Sequence, residues 1–148
     1  MKILVLNGPN LNLLGTRENE YYGNQSLDEI IKNTKSKLKL IKPDVVLEHT
    51  QSNSEAVLVE HIQQASKAGF SGIIINPGAY SHTSVALLDA LRQTPLYKIE
   101  VHLSQVYQRE DFRQQLLTAK AANTIMTGLG GLVYYIAALA IIEKIKDV

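Results

Sequence analysis

The sequence predicts an α/β protein built on a doubly wound, five-stranded parallel sheet with helices on both faces. Three observations lead there. Short, almost wholly apolar segments recur, such as Met1–Leu6 (MKILVL) and Gly72–Ile75 (GIII), as strands covered on both faces require. Helical stretches separate them, and parallel neighbours need such crossovers. The strand–helix unit repeats five times within 148 residues.

After the first strand, Asn7-Gly8-Pro9-Asn10 breaks the apolar run. About fifteen residues without helical or strand period then lead to Ser26, and a loop that long is usually functional or disordered. It carries Arg17, Tyr21 and Tyr22 between Gly15 and Gly23, a composition that suits a lid as well as a solvated loop. Ser26 can cap a helix through about Leu40, with Leu27, Ile30, Ile31, Thr34 and Leu38 on one side. Pro43-Asp44 ends that region and a strand begins at Val45–Leu47. Ser52-Asn53-Ser54-Glu55 has capping-box spacing ahead of a helix that buries Val57, Leu58, Ile62 and Ala65. The third strand, Gly72–Ile75, ends at Asn76-Pro77-Gly78, and a helix from Ser81 or His82 to Arg92 follows. Tyr97–Leu103 is the fourth strand, with Glu100 and His102 as its polar members. A short helix over Asp111–Leu117, a strand at Thr124–Thr127 and a glycine cluster (Gly128-Leu129-Gly130-Gly131) before a final helix complete the chain. Five strands in one domain, residues 1–148, favour a flavodoxin-like topology over a longer dinucleotide-binding domain.

Bulk properties narrow the function. A net charge of +1 gives no reason to expect nucleic acid or an anionic membrane as partner. There is no cysteine, so neither a disulfide framework nor thiol chemistry is available. The longest apolar run, Leu132–Ile142, is too short to span a bilayer, and the start reads as a strand rather than a leader. The expectation is a cytoplasmic protein. No paired histidine spacing suggests a metal. Gly128–Val133 fails GxGxxG because valine holds the last position, so the glycines more simply let the final helix approach the sheet or a neighbour.

In a doubly wound sheet, ligands bind beyond the carboxyl ends of the strands. The unusual residues fall there: Asn7, Asn10 and Asn12; Gln51–Ser54; Asn76–His82; His102 and Ser104. Each cluster alone is ordinary turn chemistry; their shared rim points to a small polar ligand. His82 and Asp89, seven residues apart on the expected helix, would share a face as a salt bridge or a ligand clamp. Glu100 shares a strand face with His102 and can orient its imidazole, although His102 alone reads as a core histidine. His49 and His61 read as structural. Arginines number four against eleven lysines, and Arg17, Arg109 and Arg113 lie near rim segments, where a guanidinium suits a carboxylate.

Five stretches, LNGPNLNLLGTRENEYYG (6–23), QSNSE (51–55), IINPGAYSHTSVAL (74–87), EVHLS (100–104) and REDFR (109–113), resemble type II 3-dehydroquinate dehydratase in order and spacing. The resemblance implies removal of water from 3-dehydroquinate to give 3-dehydroshikimate, by anti elimination through an enolate, with no metal, cofactor or Schiff base. It implies Tyr22 as the base, Arg17 beside it favouring the phenolate, His102 as the acid and Asn10 holding a water that stabilises the enolate. Asn76, His82, Leu103, Ser104 and Arg113 would bind substrate. Asp89 would contact substrate in a neighbouring subunit, because the family forms trimers gathered into homododecamers. The reaction serves aromatic-precursor biosynthesis or quinate breakdown. This chain departs from the family pattern at Asn19 (often proline), Leu88 (commonly arginine), Gln105 and Tyr107 (usually asparagine and histidine) and Val133 (commonly small).

Two other readings compete: a phosphate-accepting receiver or flavin-carrying module of the same fold, and a dehydratase that has lost activity. Asparagines at 7, 10 and 76 stand where a receiver needs acidic residues, and NGPNLNLLG makes a poor flavin-phosphate loop. Intact Tyr22, Arg17 and His102 argue against lost activity.

Overall fold

A computed structural model describes residues 1–16 and 24–146. Five strands, β1 (Lys2–Asn7), β2 (Val46–Gln51), β3 (Gly72–Asn76), β4 (Tyr97–His102) and β5 (Thr124–Thr127), form one sheet in the order β2-β1-β3-β4-β5. Every pairing is parallel. The order reverses at β1, whose Asn7 lies level with Gln51 on one side and Asn76 on the other. Strand pleating sends alternate β1 side chains to opposite faces. Ile3 and Val5 join α1 (Leu27–Ile41) and the C-terminal helix α4 (Leu132–Lys146). Leu4 and Leu6 join α2 (Glu55–Ala65) and α3 (Val85–Gln93). The flavodoxin-like arrangement expected from the strand–helix alternation is the one observed.

The helices follow their local signals closely, with instructive exceptions. In α1 the buried residues are the five expected, and Ser26 and Glu29 form a reciprocal capping box. Ahead of α2 the cap is Ser54, not Ser52, whose hydroxyl instead accepts the Ser54 N–H. Val57 is exposed rather than buried. The helix expected from Ser81 or His82 onward is interrupted. Gly78–His82 is a 3-10 segment, and α3 starts only after Ser84, which caps the Leu87 N–H at 2.9 Å. His82 and Asp89 therefore do not share one helix. Asp111–Gln114 is likewise 3-10, followed by a second 3-10 turn at Thr118–Ala121. The expected helix stops short because the Leu117 N–H is drawn away to the Ser81 carbonyl at 2.7 Å.

The apolar α4 is buried against its own sheet, with Val133, Tyr134, Ala137 and Ala138 fully enclosed. The glycines before it serve close approach. A side chain at Gly131 would meet Ile30 at 2.9 Å, and Gly128 and Gly130 both take positive φ. Among the described residues, no helix is long and apolar enough to cross a membrane.

On β2, half-buried His49 leaves its Nε2 buried without a hydrogen-bond partner among the described residues. Desolvation is the main force lowering its pKa from 6.5; Asp28 opposes it and Lys35 adds to it. A depressed folded pKa means the unfolded chain binds the extra proton first, so stability falls as pH drops below that ordinary value. Urea denaturation between pH 7.5 and 5 should show this loss, and His49→Gln should flatten it.

Candidate active site

A cavity of about 190 Å³ opens beyond the carboxyl ends of the central strands. It forms where two turns interlock. Gly8 donates its N–H to the Asn76 carbonyl at 2.8 Å. A side-chain carbon on Gly8 would lie 2.2 Å from the Pro77 carbonyl oxygen, so only glycine fits this crossing. Gly78, at φ +59°, packs in return against the Pro9 carbonyl. The QSNSE segment buttresses the first turn from outside. Asn53 Oδ1 accepts the Asn10 N–H at 3.0 Å, and Gln51 Nε2 donates to the Gly8 carbonyl at 3.2 Å.

Of the residues expected in the site, Asn10, Asn76 and His82 line this cavity from one side. His102, Leu103, Ser104 and Arg113 line it from β4 and the turns beyond. Asp89 does not; it lies on the exposed side of α3. Arg17, Tyr21 and Tyr22, with the lid expected around them, lie outside the described residues. Arg109, only a rim arginine in the sequence, also lines the cavity, and its Nη1 donates to Ser104 Oγ at 3.4 Å. Leu11, Leu13, Leu14 and Val106 supply an apolar wall that the polar motifs did not announce.

Beneath His102 lies a buried hydrogen-bond cluster centred on Glu100, which is fully enclosed. His102 Nε2 is 2.8 Å from Glu100 Oε1, as the i, i+2 spacing on β4 suggested. Ser81 Oγ donates to the same oxygen at 2.6 Å, and Thr118 Oγ1 donates to Oε2 at 2.6 Å. Because a carboxylate only accepts, the imidazole proton facing it sits on Nε2, which leaves Nδ1 as the other functional nitrogen. His82 has the opposite arrangement: Nδ1 lies 2.9 Å from the Gln115 carbonyl, a pure acceptor, so Nε2 is the nitrogen that can meet a ligand. Ser81 falls within a recognised stretch, but Thr118 had no local signal at all.

The cationic wall is held by Glu110. Its Oε2 lies 2.9 Å from Arg113 Nε, off the line of that N–H, and 3.6 Å from Arg109 Nε. Its carboxyl titrates below the usual range, chiefly through a bond to its own backbone N–H; desolvation opposes this, and the Arg113 and Arg109 guanidiniums add to the lowering.

A doubly wound parallel sheet with a cavity of arginine, histidine and amide groups at its carboxyl edge defines an α/β enzyme for a small, polar, anionic molecule. The comparisons specify which. The model of the family described as dehydroquinase class II matches residues 1–142. A 3-dehydroquinate dehydratase from Vesicomyosocius okutanii is 47% identical, covering 99% of this chain and 97% of its own. One from Prochlorococcus marinus is 49% identical, with the same coverage. The crystal structure of a type II dehydroquinase from Butyrivibrio crossotus superposes with a TM-score of 0.91 at 42% identity, covering 95% of this chain and 97% of that one. The chain belongs to the class II dehydroquinase family.

Thr118→Val keeps the side-chain shape and removes one donor from Glu100. Leaving that buried oxygen short of a partner should cost about 1–3 kcal/mol, read as a lower urea midpoint with an unchanged slope.

Proposed function

We propose that the chain acts as its family does: it is a lyase that dehydrates 3-dehydroquinate to 3-dehydroshikimate, here by anti elimination through an enolate. The observation that carries the reading is His102, braced by buried Glu100 on the wall of a cavity that also holds Arg109 and Arg113. In this reading Tyr22 takes the proton from the carbon next to the ketone. A free phenol has a pKa of about 10, so full ionisation at pH 7 needs roughly 4 kcal/mol of help, and the neighbouring Arg17 guanidinium supplies the right sign. Asn10 holds the water that stabilises the enolate oxygen, where developing charge gains most from fixed donors. His102 acts as the imidazolium: its Nε2 proton stays with Glu100, its Nδ1 proton goes to the departing hydroxyl, which leaves as water, and the ring is left neutral. Arg113, Ser104, the Leu103 backbone, Asn76 and His82 bind the carboxylate and hydroxyls. The chemistry needs no metal, cofactor or lysine imine.

Asp89 acts in this proposal across a subunit boundary. Its exposed position on α3, away from its own chain's cavity, suits contact with the site of a neighbour in a homododecamer of trimers.

The deciding experiment follows the conjugated enone spectrophotometrically as purified protein meets 3-dehydroquinate, with and without borohydride. Turnover that survives borohydride supports the enolate route. Inactivation that requires both borohydride and substrate would mean an imine and overturn it, and no turnover from folded protein would remove the activity. Tyr22→Phe should abolish turnover without disturbing the fold; substantial residual rate would take the base role from it. His102→Ala should lower kcat by about a hundredfold or more, and an unchanged kcat would remove the acid role.

A further inference from the structure

A second buried chain of hydrogen bonds runs behind the cavity, and of its members only Asn76 has a part in the roles above. Tyr134, near the start of α4 and fully buried, donates its hydroxyl proton to Asn7 Oδ1 at 2.5 Å. The Tyr134 hydroxyl oxygen itself accepts an N–H from Asn76 Nδ2 at 3.1 Å. Asn76 Oδ1 in turn accepts the Gly78 N–H at 3.2 Å. One phenol thus ties together the ends of β1 and β3, the neighbouring strands at which the sheet order reverses.

The polarity of this chain is set from one end. The Gly78 N–H can only donate, so Asn76 must present its oxygen there and its nitrogen to Tyr134. The tyrosine oxygen then accepts from Asn76, and its single proton goes to Asn7. Reversing the chain would set the Asn76 NH₂ against the Gly78 N–H, donor against donor. The cost is visible, since Asn7 Nδ2 is buried with no partner among the described residues. A buried amide group left unsatisfied calls for an explanation. Burial also raises the phenol pKa of Tyr134, so its proton is retained throughout the working range of pH.

Asn76 lines the cavity, and its Nδ2 carries a second hydrogen not used by Tyr134. We propose that Tyr134 is a positioning residue: through the Asn7–Tyr134–Asn76 chain it fixes the Asn76 amide so that its remaining N–H meets an acceptor oxygen of the substrate. The proposal deepens the dehydratase reading and rests on it. The glycine cluster before α4 gains a reason as well, because it seats the helix closely enough for a phenol to reach both strand ends.

The test is steady-state kinetics of Tyr134→Phe and Asn7→Ala, each alone and combined with Asn76→Ala, with circular dichroism to verify folding. Tyr134→Phe removes the bridging hydroxyl; Asn7→Ala frees its proton to compete for Asn76 Oδ1. Each should raise KM for 3-dehydroquinate about tenfold while kcat changes about threefold or less, and neither should raise KM further once Asn76 is alanine. Unchanged KM in folded single variants, or effects that persist in full beside Asn76→Ala, would overturn the proposal. If Tyr134→Phe does not fold, Asn7→Ala decides alone. The side-chain amide NMR signals of Asn76 separate this outcome from failure of the dehydratase reading. They should shift in folded Asn7→Ala whether or not the protein turns over, and unchanged signals would overturn the positioning role.

Discussion

The arrangement of this protein depends on satisfying one buried carboxyl group. Glu100 is fully enclosed in the middle of the sheet's carboxyl half, where an unpaired acid would be costly. Three side chains meet that requirement from three different segments: Ser81 after β3, His102 at the end of β4 and Thr118 in the 3-10 turn before β5. Each segment is bent to comply. The Leu117 N–H turning to the Ser81 carbonyl ends one expected helix early, and the 3-10 segment carrying Ser81 delays α3. The same contacts hold His102 upright in the cavity wall. The placement of His102 in the cavity wall and the local irregularity of the backbone share one physical cause.

The cavity itself is a product of close backbone crossing. At the point where the strand order reverses, the turns after β1 and β3 pass so near each other that Gly8 faces the Pro77 carbonyl with no room for a side chain. Sheets of this type open at such a switch point, and the interlocked Gly8 and Gly78 turns close its floor. The two asparagines that end the strands, level in register, are bridged by Tyr134 from the last helix. The floor is therefore pinned from the interior of the chain's own core.

Charge is concentrated where it can act. Arg109 and Arg113 share the cavity with His82 and His102, and an apolar wall of leucines and Val106 limits water beside them. Glu110 stands outside and holds the guanidiniums without sealing the cavity. Such a surface favours an anion whose remaining groups offer hydrogen-bond acceptors and donors.

Local chemistry determined a great deal by itself. Apolar runs marked β1, β3 and the start of β2, which continues through polar residues to Gln51, and the period of α1 named its buried face residue for residue, because burial on a regular element leaves a regular pattern. The i, i+2 placement of Glu100 and His102 was legible for the same reason, as strand geometry alone puts both on one side. The motif stretches located the cavity's polar lining, since turn residues at strand ends can lie only on the rim. The tertiary structure decided what no local window contains. Thr118 meets Glu100 across eighteen residues and Tyr134 meets Asn7 across one hundred and twenty-seven, contacts that exist only once the sheet has brought distant segments together. Ser84 displaced His82 from the helix of Asp89, and the Leu117 N–H donating to the Ser81 carbonyl overrode a helical pattern, because a hydrogen bond available in the folded core outweighs weak local propensity. Sequence placed the candidate polar groups on one edge; packing selected which of the described ones share a wall and which nitrogen His82 and His102 each turn inward.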